Sequence, residues 1–201
     1  MSRHYLSGPL RFTLKLLRIG RNPKVGFRIL LFHDVPAGSV DVFEKLVSYV
    51  VSTHGALTPE IAAAVVEGNY PHDIQSGNWK MPCLFSFDDG FYSNLQIAET
   101  VLERYGIKAL FFVAPGLIDL PRSEHRSAIA KYIFGSRIRS EELGPDLRFM
   151  NWEELLKLKA LGHVIGCHGL FHRRLTQLKG SNLYREVVCA GDMLDKHLNQ
   201  K

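Results

Sequence analysis

Short apolar runs that stop abruptly at polar residues alternate along this chain with stretches of helical periodicity. Residues 28–35 (Arg-Ile-Leu-Leu-Phe-His-Asp-Val) are followed by Pro36, and Cys83-Leu84-Phe85-Ser86-Phe87 stops at Asp88-Asp89-Gly90. Ala109-Leu110-Phe111-Phe112-Val113 forms a third run, and His163-Val164-Ile165-Gly166-Cys167 gives way to His168. Apolar runs of this length between turn residues read as buried strands. From Asp41 onward, Phe43, Leu46, Val47, Val50 and Val51 recur at helical spacing, as do Ile97, Ala98, Val101, Leu102 and Tyr105 before a stop at Gly106. Thr58-Pro59-Glu60 offers an N-cap with proline at the first helical position, and Asn151 with Glu154 resembles a capping box. Strand, helix, strand in this order implies parallel pairing through right-handed crossovers. The expectation is an α/β fold with a parallel sheet, barrel-like in outline. Residues 116–148 are irregular in pattern and read as a loop-rich excursion over the site, and an amphipathic helix near 181–198 closes the chain.

With 201 residues, 46% of them hydrophobic and 22% charged, the chain suits one globular domain rather than a disordered segment. Its formal charge of +5 is unevenly placed. Arg3, Arg11, Lys15, Arg18, Arg21, Lys24 and Arg28 meet no acidic residue before position 29, and the remainder is close to neutral. That separates a basic N-terminal arm, 1–27, from a domain at 28–201, and it argues against nucleic-acid binding spread over the fold. Leu6, Leu10, Leu14 and Leu17 lie at helical spacing beside Arg11, Lys15 and Arg18. Packing of such a helix on the domain is the favoured reading, with peripheral membrane contact as the alternative. No apolar stretch is long enough to span a bilayer and the arm lacks the core of a secretory signal, so a cytoplasmic protein is expected, membrane-associated if the arm anchors it. Cys83, Cys167 and Cys189 are odd in number without metal-ligand spacing, which suits reduced, mostly buried thiols.

The strand ends carry the chemistry. His33, then Asp88 with Asp89, then His168 with His172 follow three of the runs, so polar groups that are costly to bury converge on one edge of the sheet. In parallel α/β folds ligands gather at that carboxyl edge. Two imidazoles and a carboxylate can hold a divalent metal such as zinc on one side, and the adjacent carboxylate can act as a base. Taken singly, Asp-Asp-Gly is often a turn and His-x-x-x-His often surface decoration. For His33 a structural histidine competes evenly with a catalytic one.

Phe85-Ser86-Phe87-Asp88-Asp89-Gly90 resembles the first motif of the polysaccharide deacetylases (NodB homology, carbohydrate esterase family 4), and Gly166-Cys167-His168-Gly169-Leu170-Phe171-His172 resembles their second. Phe111-Phe112-Val113 and Asn151-Trp152 resemble that family's connecting segments. The opening Ile29-Leu30-Leu31-Phe32-His33-Asp34-Val35 is similar to the permuted branch that de-N-acetylates poly-N-acetylglucosamine. The resemblance implies a distorted (β/α) barrel, Asp88 as catalytic base, His33 as proton donor, and Asp89, His168 and His172 as ligands of a divalent metal: zinc first, with cobalt, nickel or manganese as substitutes. It implies hydrolysis of a carbon–nitrogen, non-peptide bond in an acetylated glycan or chito-oligosaccharide. Two departures stand out. Gly169 and Leu170 replace the Ser or Thr that often follows the first histidine, and the family's later Arg-, Pro- and Asp-containing motifs do not follow His172. A domain lacking its C-terminal part is therefore expected, with a catalytically weak homologue that binds glycan or a partner as the alternative function.

Overall fold

The computed structural model describes residues 26–69 and 81–199. The basic arm up to residue 25 and most of the loop expected at 68–80 lie outside the described residues. The strands are β1 (Arg28–Phe32), β2 (Ala56–Leu57), β3 (Cys83–Phe87), β4 (Leu110–Val113) and β5 (Val164–Cys167). All pairings are parallel, in the order β1-β3-β4-β5, with β2 beside the start of β3. β2 escaped the sequence reading because two residues carry no periodicity. Both β1 and β5 keep one unpaired side, so closure into a barrel is not seen among the described residues.

Helices cover the sheet where the sequence placed them. Of the positions that recur at helical spacing, Val40–His54 buries Phe43, Val47 and Val50, while Val51 is partly buried and Leu46 faces outward. Pro59–Val66 starts from Thr58, whose Oγ1 accepts the Ile61 amide at 3.4 Å. Trp152–Ala160 opens with the reciprocal capping box of Asn151 and Glu154, and Arg148 braces it with two bonds to the Glu154 carboxylate, at 2.8 and 2.7 Å. Such caps are worth about 1 kcal/mol because the first helical amides have no partner within the helix.

β3 is the central strand, and all five of its residues are buried. Successive side chains point to opposite faces. Phe85 and Phe87 join Val47, Leu95, Phe111 and Ile165 in the main core, while Leu84 packs with Leu57 and Ala62 on the other face. Phe87 stacks on Phe111 at 4.9 Å between ring centroids. Truncating either ring to Ala would cost about 3–5 kcal/mol, since the surrounding sheet cannot collapse into the hole.

The excursion over the site contains short helical turns with a core of their own, where Leu117, Ile129 and Phe149 are fully buried. His125 holds it together: its Nε2–H donates to the Leu120 carbonyl (2.9 Å) and its Nδ1 accepts the Phe149 amide (3.2 Å). The last helix runs in segments from Gly180 to Leu198, widened by a π turn at Arg185–Cys189. The cysteines are free thiols, with Cys83 buried and Cys167 and Cys189 partly so. Among the described residues, no helix is long and apolar enough to cross a membrane.

Candidate active site

Strand register brings the polar residues level with one another. Phe32 pairs with Phe87, so His33 and Asp88 leave adjacent strands side by side, and the Asp88 amide donates to the Phe32 carbonyl at 2.9 Å. Val113 pairs with Cys167, and the His168 amide donates to the Val113 carbonyl at 2.8 Å, one rung beyond the strand.

The chain then turns sharply at Asp89 and Gly90, both left-handed, with φ of 72° and 74°. Aspartate tolerates this conformation better than most residues. Gly90 has no substitute, because a Cβ there would sit 2.9 Å from Val113 Cγ1. The turn leaves Asp89 1% exposed, with neither carboxylate oxygen hydrogen-bonded within the described protein.

His168 and His172 face this carboxylate. His168 Nε2 lies 3.7 Å from Asp89 Oδ1 and 3.7 Å from Asp88 Oδ2, and His172 Nε2 lies 3.7 Å from Asp89 Oδ1. These separations are too long for hydrogen bonds. One donor atom from each of Asp89, His168 and His172 falls within 4.8 Å of the others. His172 Nδ1 is 3.1 Å from the Tyr132 carbonyl, which can only accept, so Nδ1 carries the proton and Nε2 presents a lone pair. A buried carboxylate without a donor is costly unless a cation compensates it. The residues present therefore fit a divalent metal, and the mixed nitrogen and oxygen set suits zinc. Cys167 stands beside the set, but burial pushes its thiol up, away from the thiolate that a ligand needs.

Asp88 differs from Asp89 in being partly open, with 14% of its side chain exposed. Burial pushes its carboxyl above the usual carboxylate range; His168 opposes this, the Asp89 charge adds to it, and His33 and His172 oppose it. His33 is exposed on a loop that is itself pinned: Ser93 Oγ donates to Asp34 Oδ1 (2.6 Å) and accepts the Val35 amide (3.3 Å). The structure thus gathers the sequence candidates at one sheet edge, with the Asp88/Asp89/His168/His172 group tight and His33 at its margin.

Glu186 and Tyr132 were missed from sequence. Glu186 is 2% exposed, and its Oε1 accepts the amides of Phe171 (2.8 Å) and Arg173 (2.9 Å), while its carbonyl accepts the Leu170 amide (3.0 Å). It therefore grips the loop between the two histidines at two points, Leu170 and Phe171, and a third, Arg173, just past His172. Gly169, at φ 81°, is where the family often has Ser or Thr; a Cβ there would meet Glu186 Oε1 at 3.0 Å. The carboxylate thus holds this loop directly against a glycine. The flanking acid in a helical stretch gave no signal of this.

One buried and one partly open carboxylate, a turn that needs glycine at position 90, and two imidazoles facing the buried acid form a group that could hold a metal at the carboxyl edge of a parallel sheet. A family model described as polysaccharide deacetylase matches residues 78–201, and the chain belongs to that family. Sequence comparison with curated proteins gives no match. Among solved structures the chain is similar to the Streptococcus pyogenes deacetylase PplD in complex with acetate, with TM-score 0.58 and 20% identity over 88% of this chain and 70% of that one. It is similar to IcaB from Ammonifex degensii, with TM-score 0.59 and 21% identity over 88% of this chain and 71% of that one. At these identities the likeness is one of fold.

Proposed function

We propose that this chain is a metal-dependent hydrolase that removes the acetyl group from an N-acetylated sugar of a polysaccharide or chito-oligosaccharide. The observation that carries the reading is the Asp89 carboxylate, buried and unpaired within the described protein between two open imidazole nitrogens, in a member of the polysaccharide deacetylase family.

In this reading Asp89, His168 and His172 hold the ion, with zinc the best fit and cobalt, nickel or manganese able to take the same donors. When bound, it supplies Lewis acidity at the acetyl carbonyl and lowers the pKa of water in the site. Asp88, partly open and beside the ligand set, takes the proton from the attacking water. Tyr132 holds His172 in the tautomer that leaves Nε2 free, and Glu186 holds the histidine loop. His33, at the end of β1, gives a proton to the departing amine. Water adds across the amide, the carbon–nitrogen bond breaks, and acetate and an amino sugar leave.

The test is acetate release from N-acetylglucosamine oligomers with zinc or cobalt present. The wild type should release acetate. Asp88→Asn should bind metal but lose about 10²–10⁴-fold in rate, the usual worth of a general base. Release unaffected by Asp88→Asn would contradict the assignment.

A further inference from the structure

A cavity of about 1020 Å³ opens beside His168 and His172. Its cationic lining residues are Lys131, Arg137, Arg173 and Arg174, against one acid, Glu186, whose Oε1 is already occupied by two backbone amides. None of the four cations is in an ion pair among the described residues. On the same excursion Arg139 pairs with Glu142, and Arg126 donates to the carbonyls of Ser140 and Leu143. No carboxylate among the described residues thus offsets the charge of these four cations.

Two of them have a side-chain contact that positions them, and a third has its backbone fixed. Lys131 Nζ rests 4.7 Å from the centre of the Tyr132 ring. Arg137 follows two consecutive left-handed residues, Gly135 and Ser136, and its Nε donates to the Phe134 carbonyl at 3.0 Å, leaving both terminal amino groups of the guanidinium free. Arg173 has its backbone fixed by the bond from its amide to Glu186. Like charges held around one basin repel one another and any further cation, and they favour an anion that can bridge them. Removal of an acetyl group creates such a cation, since the product amine is protonated at neutral pH. A neutral glycan would become positively charged within a positively charged basin.

We propose that the substrate is an N-acetylated sugar bearing an anionic group, a phosphate ester or a carboxylate, which binds on the Lys131, Arg137, Arg173 and Arg174 side of the cavity. This rests on the deacetylase reading above. Arginine's planar fork matches either anion with paired hydrogen bonds. The anion also offsets the amine that the reaction exposes, so affinity for the sugar does not collapse at the moment of hydrolysis.

The test compares acetate release from N-acetylglucosamine 1-phosphate, N-acetylmuramic acid and the neutral methyl N-acetylglucosaminide, using the metal-loaded chain. At low salt kcat/KM for one or both anionic sugars should exceed that for the neutral one by about tenfold or more, and the ratio should fall towards one in about 0.5 M salt. The phosphate and carboxylate arms show which anion the site prefers. In the double variant Arg137→Gln/Arg173→Gln the ratio should collapse, and circular dichroism with retained metal binding confirms that the variant is folded. Calorimetric binding of the same sugars to the metal-loaded Asp88→Asn protein separates this proposal from the activity. Arginine-dependent, salt-sensitive binding of the anionic sugars supports it even where no acetate is released and the deacetylase reading falls. Equal kcat/KM for neutral and anionic sugars at low salt, or binding indifferent to the two arginines, overturns it and leaves the deacetylase reading standing.

Discussion

His163 and His168 stand at opposite ends of one strand, and the protein uses them in opposite ways. His163, just before β5, is 3% exposed; its Nδ1 accepts the Ala109 amide at 3.1 Å and its ring packs against Phe111. Desolvation pushes its pKa down to about 4, with Lys108 adding to the effect and Glu103 opposing it, so it is neutral at physiological pH. His168, just after β5, has 31% of its side chain exposed and turns Nε2 towards two carboxylates. The amino end of the strand uses imidazole to satisfy an otherwise unpaired backbone amide. The carboxyl end leaves imidazole free to bind something. His125 belongs with the first kind, buried and bonded to backbone, and His172 with the second, half-buried with Nδ1 fixed and Nε2 facing the Asp89 carboxylate.

The largest expected effect is at the carboxyl end. His168→Ala should lower metal affinity by at least about 100-fold and abolish metal-dependent acetate release, with little loss of fold stability, as read by metal titration and thermal melting. Glu186→Ala comes next. It frees the Phe171 and Arg173 amides and lets the loop between the histidines drift, so metal affinity should fall about 10–100-fold, the usual cost of losing a group that orients ligands. Glu186→Gln keeps an accepting oxygen and should recover much of that loss. If the glutamine variant binds metal no better than the alanine one, the loop is not held in the way described.

His163→Gln moves the test to the amino end and should reverse the pattern: metal affinity unchanged, stability changed. The folded-state pKa, about 4, lies below the ordinary histidine value of about 6.5. The unfolded chain therefore binds the extra proton first, and stability present above pH ~6.5 is lost as pH falls towards 4. The span corresponds to about 3 kcal/mol at most. Denaturant titrations across that window should show a slope in the wild type that is reduced in His163→Gln; His125, also lowered by burial, leaves a remnant of the same sign. The smallest effect is expected at His197, which stacks on the exposed side of Trp152 at 4.0 Å. His197→Ala should cost less than about 1 kcal/mol and leave metal binding alone.

The contrast between the two ends of β5 also explains what could be read from sequence. Asp88 and His168 were legible because each directly follows an apolar run, and an abrupt end to such a run places the next residue at the sheet edge; Asp89 and His172 were legible only by their short spacing from those two. His163 opens the same kind of run, and its burial could be foreseen though its bond to Ala109 could not. Glu186 was illegible for a physical reason. It is buried while its neighbours Val187 and Val188 are 48% and 40% exposed, the reverse of the pattern by which helix faces are recognised. Only the path of the loop between the histidines makes that burial favourable. Tyr132 acts through its carbonyl, so no side-chain pattern could single it out. The cation-lined cavity was hidden because its cations come from two segments, 131–137 and 173–174, brought together by folding.

Cobalt titration followed by visible absorption, on the wild type, His168→Ala and His163→Gln, tests the central claim most directly. One cobalt per chain in the wild type and in His163→Gln, with the absorption lost in His168→Ala, is the predicted result. No cobalt bound by the wild type, or equal binding by all three proteins, would contradict the assignment of Asp89, His168 and His172 as a metal centre.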